Sequence, residues 1–341
     1  MNRFSYHRAE SLADAVARLQ TNPAAAIIAG GTNLVDLMKY EVERPEELID
    51  VTRLDELQTM SWIEDGGLRI GALVPNSDVA YDERIAEHYP LLTHAVLAGA
   101  TPQLRNAATT GGNLNQRTRC YYFNDVSTPC NKREPGSGCS AIGGVNRIHA
   151  ILGASSHCIA THPSDMCVAL AALDAAVEVV GPEGARSIPF GDYHRLPEDQ
   201  PQRDNTLRQG EIVVAVTLPR EASDFAGNYT YLKLRDRLSY AFALVSVAAA
   251  LQLDGERIAA ARLALGGVAH KPWRRTEAEE ALVGMVPDET AFMSAADFLI
   301  AGAEPHEHNA FKVELARRAI VCALSQAASG TAQSLTDKRI A

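Results

Sequence analysis

A Gly-Gly pair that opens onto a cysteine-rich loop constrains this chain more than any other stretch. Ala108-Thr109-Thr110-Gly111-Gly112-Asn113-Leu114 runs within a few residues into Cys120, followed by Cys130, Cys139 and Cys158, four of the six cysteines in the sequence. Glycine has no Cβ, so backbone at such a pair can come close to a ligand. The segment 115–154 is rich in Gly, Asn, Arg and Ser and poor in apolar periodicity. A structureless loop of that length is uncommon unless something orders it. The stretch reads as two cofactor sites placed side by side, with the remaining chain as their support.

The thiol spacing is Cys-x9-Cys-x8-Cys-x18-Cys. It lacks the Cys-x2-Cys pair of a zinc ribbon and the ferredoxin spacing. Four thiolates that converge in space can nevertheless hold a [4Fe–4S] cluster or a zinc ion, and inert buried thiols or disulfides remain a third reading. Cys167 and Cys322 fall on apolar helix faces and read as core. His149, His157 and His162 lie near the cysteines. One of them could hydrogen-bond to a cluster, and an ordinary core or surface histidine is the simpler reading of each.

A chain of 341 residues with 46% hydrophobic and 22% charged residues has the composition of a globular protein. Its net charge of −10 argues against a nucleic-acid surface, which needs a basic stripe. No apolar run is long enough to span a membrane. The N-terminal residues Met1 to Arg8 lack an apolar signal core.

Taken in order, Glu10–Gln20 is an amphipathic helix by the recurrence of Leu12, Ala15, Val16 and Leu19. Ala24–Ala29 is a buried strand that ends at Gly30-Gly31-Thr32-Asn33, before a helix over Leu34–Tyr40. Strand, Gly-Gly turn and helix start form an arrangement suited to phosphate, and equally to an ordinary turn with positive φ. Further strands are expected at Glu47–Val51, Leu68–Leu73, Ala176–Val180 and Ile212–Leu218, with helices in Ser77–Ala98, broken at Pro90, and Met166–Ala175. Asp165 precedes that last helix and reads as a cap carboxylate or as an acceptor for ligand hydroxyls. Pro182–Gln209 is a polar connection and Pro219–Gly227 a linker. Strands at Tyr229–Arg235, Ala241–Leu253 and Ile258–Gly266, with a hairpin at Asp254-Gly255, precede three helices. Two Gly-Gly turns, each followed by Asn or Thr-Asn, suggest two loops closing on one extended ligand with the shape of a dinucleotide.

Ala29-Gly30-Gly31-Thr32-Asn33-Leu34, Thr109-Thr110-Gly111-Gly112-Asn113-Leu114 and Pro163-Ser164-Asp165-Met166 resemble the FAD-binding subunits of the xanthine dehydrogenase / molybdenum hydroxylase family. The resemblance covers nearly the whole chain. The cysteine loop is similar to that of the minority carrying an extra [4Fe–4S] cluster, as in bacterial periplasmic aldehyde oxidoreductases. The flavoprotein subunit of 4-hydroxybenzoyl-CoA reductase is the related alternative. The implied fold is α+β: a two-part α/β FAD-binding domain of the vanillyl-alcohol-oxidase type, then a small α+β domain with antiparallel strands and three helices. Its boundaries would be 1–219, divided at 54 and carrying the cysteine loop 115–160, and 228–330.

By the same resemblance, Ile28, Ala29, Gly30, Gly31, Thr32, Asn33 and Leu34 would wrap the FAD pyrophosphate. Ala100, Thr101, Thr109, Gly112 and Asn113 would form the second loop. Asp165 would bind FAD hydroxyls, Val213 would line the adenine side and Lys233 would sit near the flavin, although a solvated strand-edge lysine is an equal reading of Lys233. Cys120, Cys130, Cys139 and Cys158 would ligate the cluster. No proton-shuttling catalytic residue is expected, because the flavin carries the chemistry. The implied partners are a small [2Fe–2S] subunit and a large molybdenum-cofactor subunit. Without a signal of its own, the chain would take up its cofactors in the cytoplasm and reach the periplasm only with a signal-bearing partner. A zinc-stabilised scaffold without enzymatic function and a self-contained flavin oxidase are the rivals.

Overall fold

A computed structural model describes residues 1–334. Three sheets organise the chain. Strands β1 (Ser5–Arg8), β2 (Ala25–Ile28) and β3 (Glu47–Asp50) form a parallel sheet in the order β1-β3-β2. Helix Leu12–Thr21 crosses from β1 to β2. Its buried Ala15 and Val16 join Ile49 and Val51 in a small core, and Ser11 caps it by accepting from the Asp14 N–H.

The second sheet is antiparallel and contains β4 (Met60–Trp62), β5 (Leu68–Gly71), β6 (Ala176–Gly181), β7 (Gly184–Pro189) and β8 (Ile212–Leu218), ordered β4-β5-β8-β6-β7. Helices Asn76–Tyr81, Glu83–His88, Pro90–Ala98 and Asp165–Ala172 bury their apolar residues in its core. β8 reads IVVAVTL and is buried along almost its entire length, as befits a central strand.

The third sheet is antiparallel, ordered β12-β11-β10-β9, from β9 (Tyr229–Leu234), β10 (Val245–Asp254), β11 (Arg257–Gly266) and β12 (Trp273–Arg274). The hairpin between β10 and β11 turns at Gly255, with φ +59°. Helices Thr276–Glu280, Glu289–Ile300 and Phe311–Ala328 cover one face through Phe292, Leu299, Ile320 and Leu324. The other face supplies Ala248, Ala250 and Ala264 to the core of the second sheet. This is the α+β arrangement expected from the sequence.

Several local expectations are corrected. The polar connection Pro182–Gln209 contains β7 and a short helix, Phe190–Tyr193, because Ile188, Phe190 and Tyr193 are buried. The linker Pro219–Gly227 forms a 3-10 turn over Arg220–Phe225 that buries Ala222 and Phe225. Cys322 is exposed, not core: it lies on the outward side of helix Phe311–Ala328, where Ala319, Ile320, Ala323 and Leu324 face inward. Cys167 is fully buried, as expected.

Asp50 ends β3 and ties the first sheet together. Its carboxylate accepts from the Thr52 N–H at 2.8 Å, the Thr52 hydroxyl at 2.6 Å, Arg8 Nε at 3.3 Å and the Tyr6 hydroxyl. Burial pushes its pKa up, but these hydrogen bonds outweigh burial and lower it to about 2. A depressed carboxylate pKa stabilises the fold above the unfolded value, and that contribution is lost as pH falls through the folded value. Asp50→Asn is expected to cost about 2 kcal/mol at pH 7. Urea unfolding should show the gap between wild type and variant closing as pH is lowered towards 2; an unchanged gap at pH 3 and pH 7 contradicts the assignment.

Candidate functional site

The loop after β2 carries the first Gly-Gly pair. Gly31 has φ +69°, a conformation that glycine adopts without strain. Gly30 is required for a different reason: a Cβ there would collide with the carbonyl oxygen of Ala107. The first loop therefore packs backbone to backbone against the segment leading to the second. Among the described residues, no acceptor meets the N–H groups of Gly30, Gly31, Thr32 or Asn33. Such unpaired amides fit a bound phosphate.

The second Gly-Gly pair is not a turn after a strand. It lies in a short helix, Thr110–Leu114, capped by Thr109, whose hydroxyl accepts from the Gly112 N–H at 3.3 Å. Thr110 anchors this helix by donating its hydroxyl to the Val74 carbonyl at 3.0 Å. Ala100, just before, is held at φ +53°. That is a costly conformation for a residue with a Cβ and is seen most often at functional sites.

Two cavities flank the paired loops. One, of about 360 Å³, contains Ile28, Ala29, Gly30, Gly31, Leu34, Thr109 and Val213 in its wall. The other, of about 260 Å³, contains Ala100, Asn113, Asp165 and Lys233. Thr32, Asn33 and Gly112 line both, so the two cavities adjoin at these residues and form the two ends of the candidate site. Of the fifteen residues expected around the dinucleotide, Thr101 alone lines neither end. It caps helix Pro102–Ala107 by accepting from the Leu104 N–H.

Asp165 is not the helix cap. Ser164 is, with its hydroxyl accepting from the Cys167 N–H and donating to Asn113 Oδ1. Asp165 follows it and forms a buried ion pair with Lys233 at 2.7 Å, while Tyr231 donates its hydroxyl to the other carboxylate oxygen at 2.8 Å. Lys233 also donates to the Ala98 carbonyl at 3.1 Å. It is thus a buried bridge from β9 to the second sheet's helices, not a solvated edge lysine. Burial and the Asp165 carboxylate push the Tyr231 pKa well above its usual value, so Tyr231 stays a donor. Phe242 and the exposed Tyr240, with φ +54°, form one rim of this end, and Arg119 stacks on Phe242.

The cysteine loop has its own small core. Cys120, Cys130 and Cys158 are buried with Phe123, Ala141, Ile159 and Leu37, and Cys139 packs against them half-buried. Leu37 belongs to the helix that follows the first Gly-Gly loop and also lines the larger cavity. No pair of these cysteines is joined; all six are free thiols. Cys130 and Cys139 pair across a short antiparallel bridge. Asn131 Oδ1 accepts from the Gly136 and Gly138 amides, and its Nδ2 donates to the His157 carbonyl. Burial pushes the Cys120 thiol up to about 12 and the Cys158 thiol up to about 11, and the neighbouring thiols push the same way.

One zinc ion would draw its sulfurs to about 3.8 Å of one another, given Zn–S bonds of about 2.3 Å. Among the described residues, the one group of three or more such ligands whose atoms all lie within 4.8 Å is His162, Cys167 and His194, a buried stack whose imidazoles burial keeps uncharged. The four loop thiols converge in one small core. His157 is exposed and His162 is core. His149 is buried too, but with Nε2 3.0 Å from Cys120 Sγ.

Sequence reasoning missed a half-buried charge network beside this core, in which Lys132 alone is fully buried. Arg117 Nε donates to Asp204 Oδ2 at 2.8 Å, and Arg117 also pairs with Glu43. Lys132, next to Cys130 and fully buried, donates to the Pro201 carbonyl at 2.7 Å and pairs with Asp204. Burial opposes the Asp204 charge, yet Lys132 and Arg117 hold its pKa well below the usual carboxylate range. The Arg117 N–H meanwhile donates to Asn33 Oδ1 at 2.9 Å, linking the network to the first Gly-Gly loop. The sequence signal was slight: basic residues inside a cysteine loop, and an acid in a polar connection.

Residues 2–221 match the family model for the FAD binding domain in molybdopterin dehydrogenase, and residues 229–327 match that for the CO dehydrogenase flavoprotein C-terminal domain. The chain is 51% identical over 328 residues to the aldehyde oxidoreductase FAD-binding subunit PaoB of Escherichia coli K12, covering 96% of this chain and 99% of that one. It is 30% identical to the putative xanthine dehydrogenase FAD-binding subunit XdhB of the same organism, over 81% of this chain and 78% of the relative. Among solved structures, quinoline 2-oxidoreductase from Pseudomonas putida 86 superposes with a TM-score of 0.73 at 27% identity, over 97% of this chain and 98% of the other. Two loops meeting at adjoining cavities, a buried Asp–Lys bridge at one end and these matches together mean that the chain belongs to the FAD-binding subunits of the molybdenum hydroxylase family of oxidoreductases.

Proposed function

We propose that this chain is the electron-transfer flavoprotein subunit of a molybdenum-containing aldehyde oxidoreductase. In this role it receives electrons through iron–sulfur centres and delivers them, at FAD, to an external acceptor. The observation that carries the proposal is the pair of adjoining cavities at the two Gly-Gly loops, together with 51% identity to an aldehyde oxidoreductase FAD-binding subunit along almost the entire chain. FAD supplies the exchange between single electrons and electron pairs. The chain's residues bind and orient it. The amides of Gly30, Gly31, Thr32 and Asn33 hold the pyrophosphate, flanked by Ile28, Ala29 and Leu34. Thr109, Gly112 and Asn113 close from the other side, with Ala100 and Thr101 shaping the approach. Val213 lies at the adenine end, and Asp165 and Lys233 at the flavin end.

Cys120, Cys130, Cys139 and Cys158 hold one [4Fe–4S] cluster in this reading, supported by four free thiols converging in one small core. The FAD-binding part spans 1–219 and the C-terminal part 228–330. The partners are a small [2Fe–2S] subunit and a large molybdenum-cofactor subunit, in keeping with relatives named as medium chains of carbon monoxide dehydrogenases.

Gly112→Val puts a branched side chain where the two cavities adjoin. Overpacking there should cost about 1–3 kcal/mol of flavin affinity, roughly ten- to a hundredfold. Flavin per chain after gel filtration measures it, and a folded variant with full flavin removes Gly112 from the site.

Replacing any one of the four loop cysteines by Ser should take iron from about four per chain to near zero, while Cys167→Ser leaves it unchanged. Iron retained in Cys130→Ser and lost in Cys167→Ser overturns the ligand set. Zinc in place of iron in protein purified without oxygen would favour the scaffold reading.

A tagged copy purified from its native host should elute with two larger and smaller partners carrying molybdenum and [2Fe–2S] iron. A lone subunit that oxidises aldehydes at full rate without added partners contradicts the relay role.

A further inference from the structure

We infer that His149 sets the reduction potential of the metal centre on the cysteine loop by donating a hydrogen bond to Cys120, from a backbone held in place by Asn309 and Lys312 at the start of helix Phe311–Ala328. The inference rests on the four-thiol centre proposed above.

His149 is 1% exposed, and its Nε2 stands 3.0 Å from Cys120 Sγ. A sulfur that ligates metal has lost its proton and can only accept, so Nε2 must carry the hydrogen. The other ring nitrogen, Nδ1, is buried without a hydrogen-bond partner. The side-chain hydrogen bond that the imidazole makes is thus to a candidate metal ligand, and the Asn146 carbonyl is its other polar neighbour.

The ring is placed from outside the loop. Lys312 Nζ donates to the His149 carbonyl at 2.8 Å and to the Gly267 carbonyl at 2.5 Å. Asn309 Nδ2 donates to the carbonyls of His149 and Ala150 at 3.3 and 3.1 Å. Asn309 and Lys312 are both completely buried, and the His308 N–H donates to Asn146 Oδ1 at 2.9 Å just before the same segment. Tyr121 and Tyr122 flank the ring at 6.3 and 6.2 Å between centroids. The backbone of His149 is therefore clamped by the start of helix Phe311–Ala328, and its side chain reaches back across the boundary to the thiols.

A hydrogen bond to a ligand sulfur withdraws electron density and favours the more negatively charged, reduced state of the centre. Hydrogen bonds to the sulfurs are among the terms that set iron–sulfur potentials. His149 acts through Cys120, so it is a positioning residue, and the potential is the quantity it should move. The other three thiols have no histidine contact of this kind among the described residues; the Cys158 sulfur accepts only from the Ala160 amide at 3.4 Å. The histidine contact on the set is thus confined to the Cys120 corner.

The test uses the full chain purified without oxygen, with iron counted before and after a redox titration followed by electron paramagnetic resonance. His149→Phe keeps a ring and removes the donor; His149→Gln keeps a donor. Undiminished iron in both, a midpoint shifted to more negative potential in His149→Phe and a midpoint partly restored in His149→Gln is the expected result. Undiminished iron with an unmoved midpoint in His149→Phe overturns the inference and leaves the four-thiol centre standing. Iron lost from both variants makes His149 a folding residue and also overturns it. Wild-type chain without iron ends the four-thiol reading itself, and the inference with it.

Discussion

The backbone contact between Gly30 and Ala107 fixes the distance between the two halves of the binding crevice. A methyl group at residue 30 would occupy the position of the Ala107 carbonyl oxygen. Both cavities depend on that approach, since Thr32, Asn33 and Gly112 line each of them. The parallel three-stranded sheet presents one loop, the antiparallel five-stranded sheet presents the other, and a missing Cβ lets them touch. Close packing makes this arrangement intolerant of small changes. Ile28 and Thr109 can be held in register only if the strands behind them are, which is the service performed by Asp50 at the end of β3.

A second set of contacts joins this crevice to the thiol core. Asn33 accepts from the Arg117 amide, the Arg117 guanidinium reaches Asp204, and Asp204 pairs with Lys132 beside Cys130. Buried charges are tolerated when paired and hydrogen-bonded, and here every member has a partner. Leu37 makes the apolar counterpart of the same connection. The loop is therefore not a free appendage: its own hydrogen bonds and its attachment to the first Gly-Gly loop tie it to the rest of the fold.

Much of this was legible because the relevant signals are local. Strand Ala25–Ile28, the Gly-Gly loop and helix Leu34–Lys39 follow from an apolar run, two glycines and helical spacing within sixteen residues of one another. The β10–β11 hairpin follows from Asp254-Gly255. What escaped is long-range. Strand β7 lies in a polar stretch, and Ile188 is its one buried residue. Asp165 looked like a cap, but its partners Tyr231 and Lys233 arrive from β9, far along the chain. Asp204 had no local pattern at all. Cys322 looked apolar in a helix whose buried face is one position away. Periodicity gives a helix's stripe; it does not say on which edge of the stripe a single residue falls.

Asn309 and Lys312 hold the His149 carbonyl, and the ring of the same residue meets Cys120. A change in how helix Phe311–Ala328 seats would therefore move the His149 backbone first and the Cys120 corner with it. One residue is the joint between the C-terminal part of the chain and the thiol core, so damage to a distant helix would be felt at the cysteines.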